Sequence, residues 1–402
     1  MNLLNYKQIP KSWKQKKLSE ICEIIGGVSN PKEKNAFENG TIPFVKMKDL
    51  GSEHLTTNLI NTSVKFNKKF VEDNKIKIIK KGAILIPRSG SVALNHRAIL
   101  GEDACIVSHI CALQINQPEI DPFFLYYVLT QIDMKKFSKK TTGLDMITFE
   151  DLRKIIIPIP PIKEQQKIVG ILTNLDNAKQ FRKESNGLRE DFIKSIFMKM
   201  FGDPKKSGKW EKKSLNEFGQ IVTGNTPPRK NKENYGDYID WIKSDNLNTP
   251  ETFVTKSRES LSKKGAKIGR IVPKNSILIT CIAGSIRSIG NIAISDKEVA
   301  FNQQINAIVP NEKVDSWYLY HLIKNAQELI QNASTKSLKG IVSKSKFSSI
   351  QMPCPPISLQ HEFANIAKNI EKMRTEQKQS SKHIDNLFSN MMQRAFKGEL
   401  AC

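Results

Sequence analysis

Two stretches of the chain, Trp13 to Pro31 and Trp210 to Pro228, align without a gap at an offset of 197, and seven of their nineteen pairs are identical. The identities include Trp13 with Trp210, Leu18 with Leu215, Glu20 with Glu217, Ile24 with Ile221, Gly27 with Gly224 and Pro31 with Pro228. The same offset matches Ile42-Pro43-Phe44-Val45-Lys46 to Ile239-Asp240-Trp241-Ile242-Lys243, and Leu50 to Leu247. Ile84-Leu85-Ile86 answers Ile277-Leu278-Ile279 at 193, whereas Gly90-Ser91 answers Gly284-Ser285 at 194. Asp121 to Tyr126 answers Asp315 to Tyr320 at 194, and Pro158-Ile159-Pro160-Pro161 answers Pro353-Cys354-Pro355-Pro356 at 195. One order of features therefore occurs twice, which requires two copies of one fold. The 402 residues give each copy enough chain for its own core.

Within each copy, β-rich runs such as Ile76 to Ile86 and Ile268 to Ile279 are broken by Gly, Pro, Asn and Ser. An amphipathic helix is expected after Asp121, carrying Phe124, Tyr127, Val128 and Ile132, and after Asp315, carrying Tyr318, Leu322 and Ile323. Each copy is thus an α+β globule, closed by a double proline that opens a long helix.

In the second long helix Phe363, Ile366, Ile370, Met373, Gln377, Ser380, Ile384, Leu387 and Met391 recur at alternating spacings of three and four, a coiled-coil seam. Their counterparts are Ile168, Ile171, Leu175, Ala178, Arg182, Ser185, Arg189, Phe192 and Ile196. Both seams turn polar in the middle, so antiparallel pairing would set polar against polar and fix the register. The 40 residues from Ile162 to Phe201 would make about 60 Å of helix. Such a spacer would place the two globules toward opposite ends of a rod, related by a pseudo-twofold axis and suited to two separated DNA half-sites. Packing of each helix on its own globule is the alternative. The expected division is 1–158 and 203–354 for the globules, with 159–202 and 355–402 for the first and second helices.

Sixty-three Lys and Arg against 40 Asp and Glu leave a formal charge of +23. The excess is shared, 32 basic against 21 acidic residues through position 200 and 31 against 19 afterwards. Both halves suit the same polyanion, and nucleic acid is the expected one. Met1 to Lys7 lacks the apolar core of a signal peptide and no apolar run would span a bilayer, so a cytoplasmic, nucleoid-associated protein is expected. The six cysteines form no C-x-x-C pair and read as buried thiols.

The doubled Trp-x4-Leu opening (Trp13 to Leu18, Trp210 to Leu215), the exit Ile157-Pro158-Ile159-Pro160-Pro161-Ile162-Lys163-Glu164-Gln165 with its second copy Met352 to Gln360, and the ends Met200-Phe201-Gly202-Asp203 and Ala395 to Leu400 resemble the specificity subunits of type I restriction-modification systems. The resemblance covers almost the whole chain. It implies two tandem target-recognition domains joined by two long antiparallel helices, a bipartite DNA target with an unspecified spacer, and two modification subunits that methylate adenine. Motor-nuclease restriction subunits would join in the full complex. Glu164 is matched by Leu359 and Gln166 by His361, so the two helix starts need not behave alike.

Catalytic motifs are missing. The double prolines are followed by Arg229, Ile162 and Ile357, not by the aromatic of an adenine methyltransferase's [DNS]-P-P-[YFW] turn. Gly202 to Trp210 has five residues between its glycines and Trp where a phosphate-binding loop needs Ser or Thr. The six histidines show no zinc-binding spacing, and runs such as Glu72-Asp73-Asn74-Lys75 read as solvated surface. No catalysis, metal or cofactor is expected of this chain.

Base reading calls for Arg, Lys, Asn or Gln on loops rich in Gly, Ser and Thr. In the first copy Lys46, Lys48, Arg88, Ser89, Ser91, Lys139, Lys140 and Thr142 meet that description. In the second, Arg229, Lys230, Lys243, Ser244, Ser285, Arg287, Lys336, Ser337 and Lys339 do. Pro87-Arg88-Ser89 aligns with Cys281-Ile282-Ala283, so the loops differ where the scaffold agrees, and an asymmetric target is expected. A DNA-binding coiled-coil scaffold without sequence preference, and a nuclease with an unrecognised centre, are the alternatives.

Overall fold

The computed structural model describes residues 9–52, 55–90, 92, 96–141, 144–206, 208–335 and 340–400. Ser91, Thr142, Lys336, Ser337 and Lys339 lie outside them. The chain divides into two units, 1–180 with 381–402, and 181–380. Packing thus cuts both long helices near their middles, because the end of each helix nearest a globule enters that globule's core.

In the first unit a five-stranded sheet runs in the order Cys22–Gly26, Ile110–Ile115, Ile84–Pro87, Arg97–Leu100, Leu55–Leu59. Beside it Val64–Phe66, Ile42–Val45 and Cys105–Ile106 form a three-stranded sheet whose last pair is parallel. The second unit repeats the plan with Gly219–Thr223, Ile305–Pro310, Ile277–Thr280 and Ile292–Ile294, and with Ile239–Ile242 parallel to Val299–Phe301. A ribbon closes each globule where its long helix leaves, Lys14–Lys17 against Ile156–Ile159 and Lys212–Ser214 against Gln351–Pro353.

The helices expected after Asp121 and Asp315 are Pro122–Thr130 and Ser316–Asn325, and each Asp carboxylate accepts two N–H groups of its first turn. That is the ordinary chemistry of an N-cap. Phe124 to Leu129 and Tyr318 to Ile323 are all buried, so the core surrounds the middle of each helix and neither shows the single buried stripe expected of an amphipathic helix.

The long helices run Ile162–Phe201 and Ile357–Ala395. In the first unit Ile168 and Leu172 of one helix share a core with Met392, Ala395 and Phe396 at the end of the other. Lys179 pairs with Asp385 at 3.0 Å. In the second unit Phe197 meets Phe363 with ring centroids 5.3 Å apart. Arg189 donates to Gln377 Oε1 at 3.0 Å, and Arg182 to the Ser380 hydroxyl at 3.3 Å. Within each unit the stretches therefore run antiparallel, and the polar middles do face each other. The seam itself needs correcting at three positions: Phe192, Met373 and Leu387 are 58%, 54% and 45% exposed. Deeply buried helix residues include Gln165, Ile168, Leu172, Ile193, Phe197, Phe201, Gln360, Phe363, Ala364, Ala367, Met392 and Ala395, a face turned to the globule. Ile171, Leu175, Ile196, Ile366, Ile370, Ile384 and Met391 are half-buried.

Candidate nucleic-acid interface

In the first unit three chain segments meet where the parallel pair Ile42–Val45 and Cys105–Ile106 ends. The N–H of Val107 donates to the carbonyl of Val45, and the carbonyl of His109 accepts the N–H of Arg88 at 2.8 Å and of Ser89 at 3.4 Å. Lys46 follows directly. Its backbone N–H donates to buried Asp49 at 2.8 Å, and its ammonium lies 5.2 Å from the ring centre of Phe37 and 5.6 Å from that of Phe44. The guanidinium of Arg88 lies 4.6 Å from the ring centre of Phe149, and its buried Nε has no hydrogen-bond partner among the described residues. Such cation–π contacts fix a flexible cation without spending its hydrogen bonds.

Ser89 is buried with its hydroxyl 2.6 Å from His109 Nδ1. Gly90 turns the chain at φ 82°, a conformation other residues resist, and donates to the carbonyl of Asp145. It thereby meets the hairpin Lys139–Thr141 with Leu144–Met146, so the structure brings the backbones of Lys139 and Lys140 to the Arg88 loop. Lys48 is exposed in the first turn of the helix Met47–Ser52.

The second unit has the same corner with other residues. Asn302 donates to Ile242 as Val107 does to Val45, and the carbonyl of Gln304 accepts from Cys281 and Ile282 as that of His109 does from Arg88 and Ser89. Gln304 thus stands for His109, and Arg88 corresponds to Cys281, one residue away from the alignment drawn on sequence. Lys243 lies 4.9 Å from the ring centre of Trp241, and Arg229 lies 4.9 Å and 5.0 Å from those of Tyr235 and Trp241. The Ser244 hydroxyl donates to Gln304 Oε1 at 3.2 Å, and the Thr226 hydroxyl bonds Gln303.

Arg229, Lys243 and Ser244 are therefore brought together. Lys230 is exposed on the turn after Arg229. Ser285 and Arg287 are not joined to this cluster by any hydrogen bond among the described residues: the Ser285 hydroxyl caps the short turn Ile286–Ser288, and the Arg287 carbonyl accepts from Gln327 at 3.4 Å. Sequence reasoning missed His109, Gln303, Gln304 and Glu259. The last is ionised well below the usual range, at about 2, by the Arg229 and Lys243 hydrogen bonds. Only strand pairing reveals their place, although Gln303-Gln304 between two β runs satisfied the residue-type rule applied elsewhere.

Among the described residues no group of three His, Cys, Asp or Glu could hold a metal ion, and no helix is long and apolar enough to cross a membrane. Burial pushes the thiols of Cys22, Cys111 and Cys281 up to about 12 and that of Cys105 to about 11.

A sequence model described as the type I restriction modification DNA specificity domain matches residues 10–187 and again 207–385. The HindI specificity subunit of Haemophilus influenzae is 23% identical across 96% of this chain and 99% of its own length. A putative MjaX specificity subunit of Methanocaldococcus jannaschii is 21% identical across 98% and 95%. The crystal structure of a type I S subunit from M. genitalium superposes with a TM-score of 0.61 at 16% identity, over 96% of each chain. With both copies of the repeat matched, the chain belongs to the type I restriction-modification DNA specificity family.

Proposed function

We propose that this chain reads DNA for a type I restriction-modification assembly, each unit taking one half of a bipartite, asymmetric target. The observation that carries this reading is the duplicated corner, where equivalent strand ends present a cation on aromatic rings in both units but differ at nearly every side chain that would reach a base. Lys46, Lys48, Lys139, Lys140 and Lys230 suit phosphate contact, while Arg88, Ser89, Arg229, Lys243 and Ser244 stand on the loops that would enter a groove. Ser285 and Arg287, on their separate turn, are further candidates for backbone contact, as are Ser91, Thr142, Lys336, Ser337 and Lys339, which lie outside the described residues. An indifferent scaffold has no need of two differently built corners on one frame.

The chemistry belongs to partners: two modification subunits that methylate adenine, joined by restriction subunits in the full complex. Exposed Leu188, Phe192 and Met373 supply apolar surface for a modification subunit to cover. Work of this kind takes place in the cytoplasm, at the nucleoid. The test is a genome-wide map of N6-methyladenine with and without the gene. Loss of one gapped motif supports the reading, and an unchanged map in cells that express the partners overturns it.

A further inference from the structure

One strand position beside the corner differs in charge between the two units. Phe44 pairs with Val64 across neighbouring strands. In the second unit Asp240 pairs with Ser260, and the N–H of Trp241 donates to the carbonyl of Glu259 at 3.3 Å. Trp241 is the equivalent of Phe44, so Glu259 stands where the first unit has Val64. Both corners hold a lysine over an aromatic ring, Lys46 over Phe37 and Phe44, Lys243 over Trp241, and in the second Arg229 lies over Tyr235 and Trp241 as well. Among the described residues only the second sets a carboxylate on the lysine's ammonium, whereas in the first Asp49 accepts the backbone N–H of Lys46.

Its oxygens are fully engaged. Glu259 Oε1 accepts from Arg229 Nη1 at 2.8 Å, and Oε2 accepts from Nη2 at 3.2 Å and from the Lys243 ammonium. This forked contact is also the one by which arginine takes a phosphate. The three side chains are 53%, 38% and 30% exposed for Arg229, Glu259 and Lys243, so an incoming anion reaches them. Among the described residues no carboxylate pairs with the ammonium of Lys46.

We propose that Glu259 is a built-in stand-in for a DNA phosphate, which latches Arg229 and Lys243 in the free protein and must yield them to the DNA backbone before the second unit engages its half-site. The inference rests on the DNA-reading function above and adds an order to it: the first unit meets any duplex with no carboxylate, among the described residues, on the Lys46 ammonium, while the second meets it with two cations already neutralised by half. Exposed ion pairs are weak, so an array of phosphates that releases counterions can open the latch. Sequence-indifferent binding, which is almost wholly phosphate contact, bears this cost on every encounter.

The experiment measures binding of the purified full-length chain to a random-sequence duplex by fluorescence anisotropy across a salt series, with circular dichroism to confirm folding. Glu259→Gln is expected to bind about three- to tenfold tighter near 0.1 M salt and to steepen the log–log salt slope by about one to two. Val64→Glu, which writes the latch into the first unit, is expected to weaken binding and flatten the slope. A folded Glu259→Gln protein with wild-type affinity and slope overturns the latch, and if that variant does not fold, an unchanged Val64→Glu slope overturns it equally. A wild-type chain that binds no duplex, alone or with its modification subunits, would instead overturn the DNA-reading function itself.

Discussion

The side-chain amide of Gln165 accepts the backbone N–H of Asp121 at 2.9 Å and donates to the carbonyls of Glu119 and Pro160 at 2.8 Å and 2.9 Å. Gln360 does the same in the other copy, accepting from Asp315 at 3.0 Å and donating to Pro355 at 2.8 Å and Lys313 at 3.4 Å. Both glutamines are wholly buried. Each ties the start of a long helix to the N-cap of its globule's central helix and to the proline exit between them, so the direction in which the long helix leaves is set by three hydrogen bonds from one side chain.

Replacing either glutamine by leucine leaves a buried N–H and two carbonyls without partners, and unpaired buried groups cost about 1–3 kcal/mol each. Gln360→Leu is expected to lower stability by at least about 2 kcal/mol in urea unfolding. Gln360→Glu, which offers acceptors only, is expected to fail as a substitute. A leucine variant as stable as the wild type would show that the three bonds contribute little.

Burial beside Phe363 and Tyr320 pulls the imidazole of His321 down to about 3, with desolvation as the main cause and Lys324 adding to it. Between pH 3 and the ordinary value of 6.5 the unfolded chain binds a proton that the folded chain refuses. Stability from this site is therefore complete above pH 6.5 and falls as the solution is acidified, by about 2 kcal/mol at pH 5. Wild type should lose that much relative to His321→Phe between pH 7 and pH 5, as read by chemical denaturation. Parallel pH profiles for the two proteins would contradict the assignment.

Cys22, Cys105, Cys111 and Cys281 are buried and their thiols are raised to 11 or above. The thiolate is the reactive form, so these four should stay unmodified by an aromatic disulfide reagent at pH 8 until denaturant is added. Rapid modification of all six cysteines in the native protein would show that the cores open readily.

How far the sequence carried these features depends on whether they are local. The repeat, the Asp121 and Asp315 caps and the helix starts at Ile162 and Ile357 depend on neighbours in sequence, and they stand where the residues put them. The seam was only half legible, because a stripe of threes and fours marks one buried face and each long helix has two. Leu172, Ile193 and Phe197 serve the globule, on a face that a heptad count ignores, while Phe192 fits the heptad and is exposed. The corner proposed to face DNA was legible by residue type but not by partner. Glu259 is 16 residues from Lys243 and 30 from Arg229, and its meaning appears only once Trp241 is seen beside it. Arg97, wholly buried in a central strand with its pKa down at about 10 through desolvation, had no sequence signal. Its counterpart Ile292 is what a strand pattern leads one to expect there.

Arg88 belongs to the first unit alone, and its equivalent Cys281 cannot offer the same donors. Arg88→Ala is therefore expected to relax one half of the target and leave the other half unchanged. Methylation of oligonucleotides varied one base at a time reads both halves together. Equal loss on both sides, or none, would remove Arg88 from the reading loop.

The polar middles of the long helices give a handle on target spacing. Arg182 with Ser380 and Arg189 with Gln377 hold the register locally, and each pair lies within the second unit. A seven-residue insertion after Ser185 and another at the facing position after Gln377 adds about 10 Å of helix while preserving the seam. Because each base pair advances the duplex by about 3.4 Å, the unspecified spacer should lengthen by about three base pairs with both half-sites intact. Methylome sequencing of cells carrying the lengthened chain measures this directly. An altered half-site with an unaltered spacer would mean that the helices hold the partners but do not set the distance between the bases that are read.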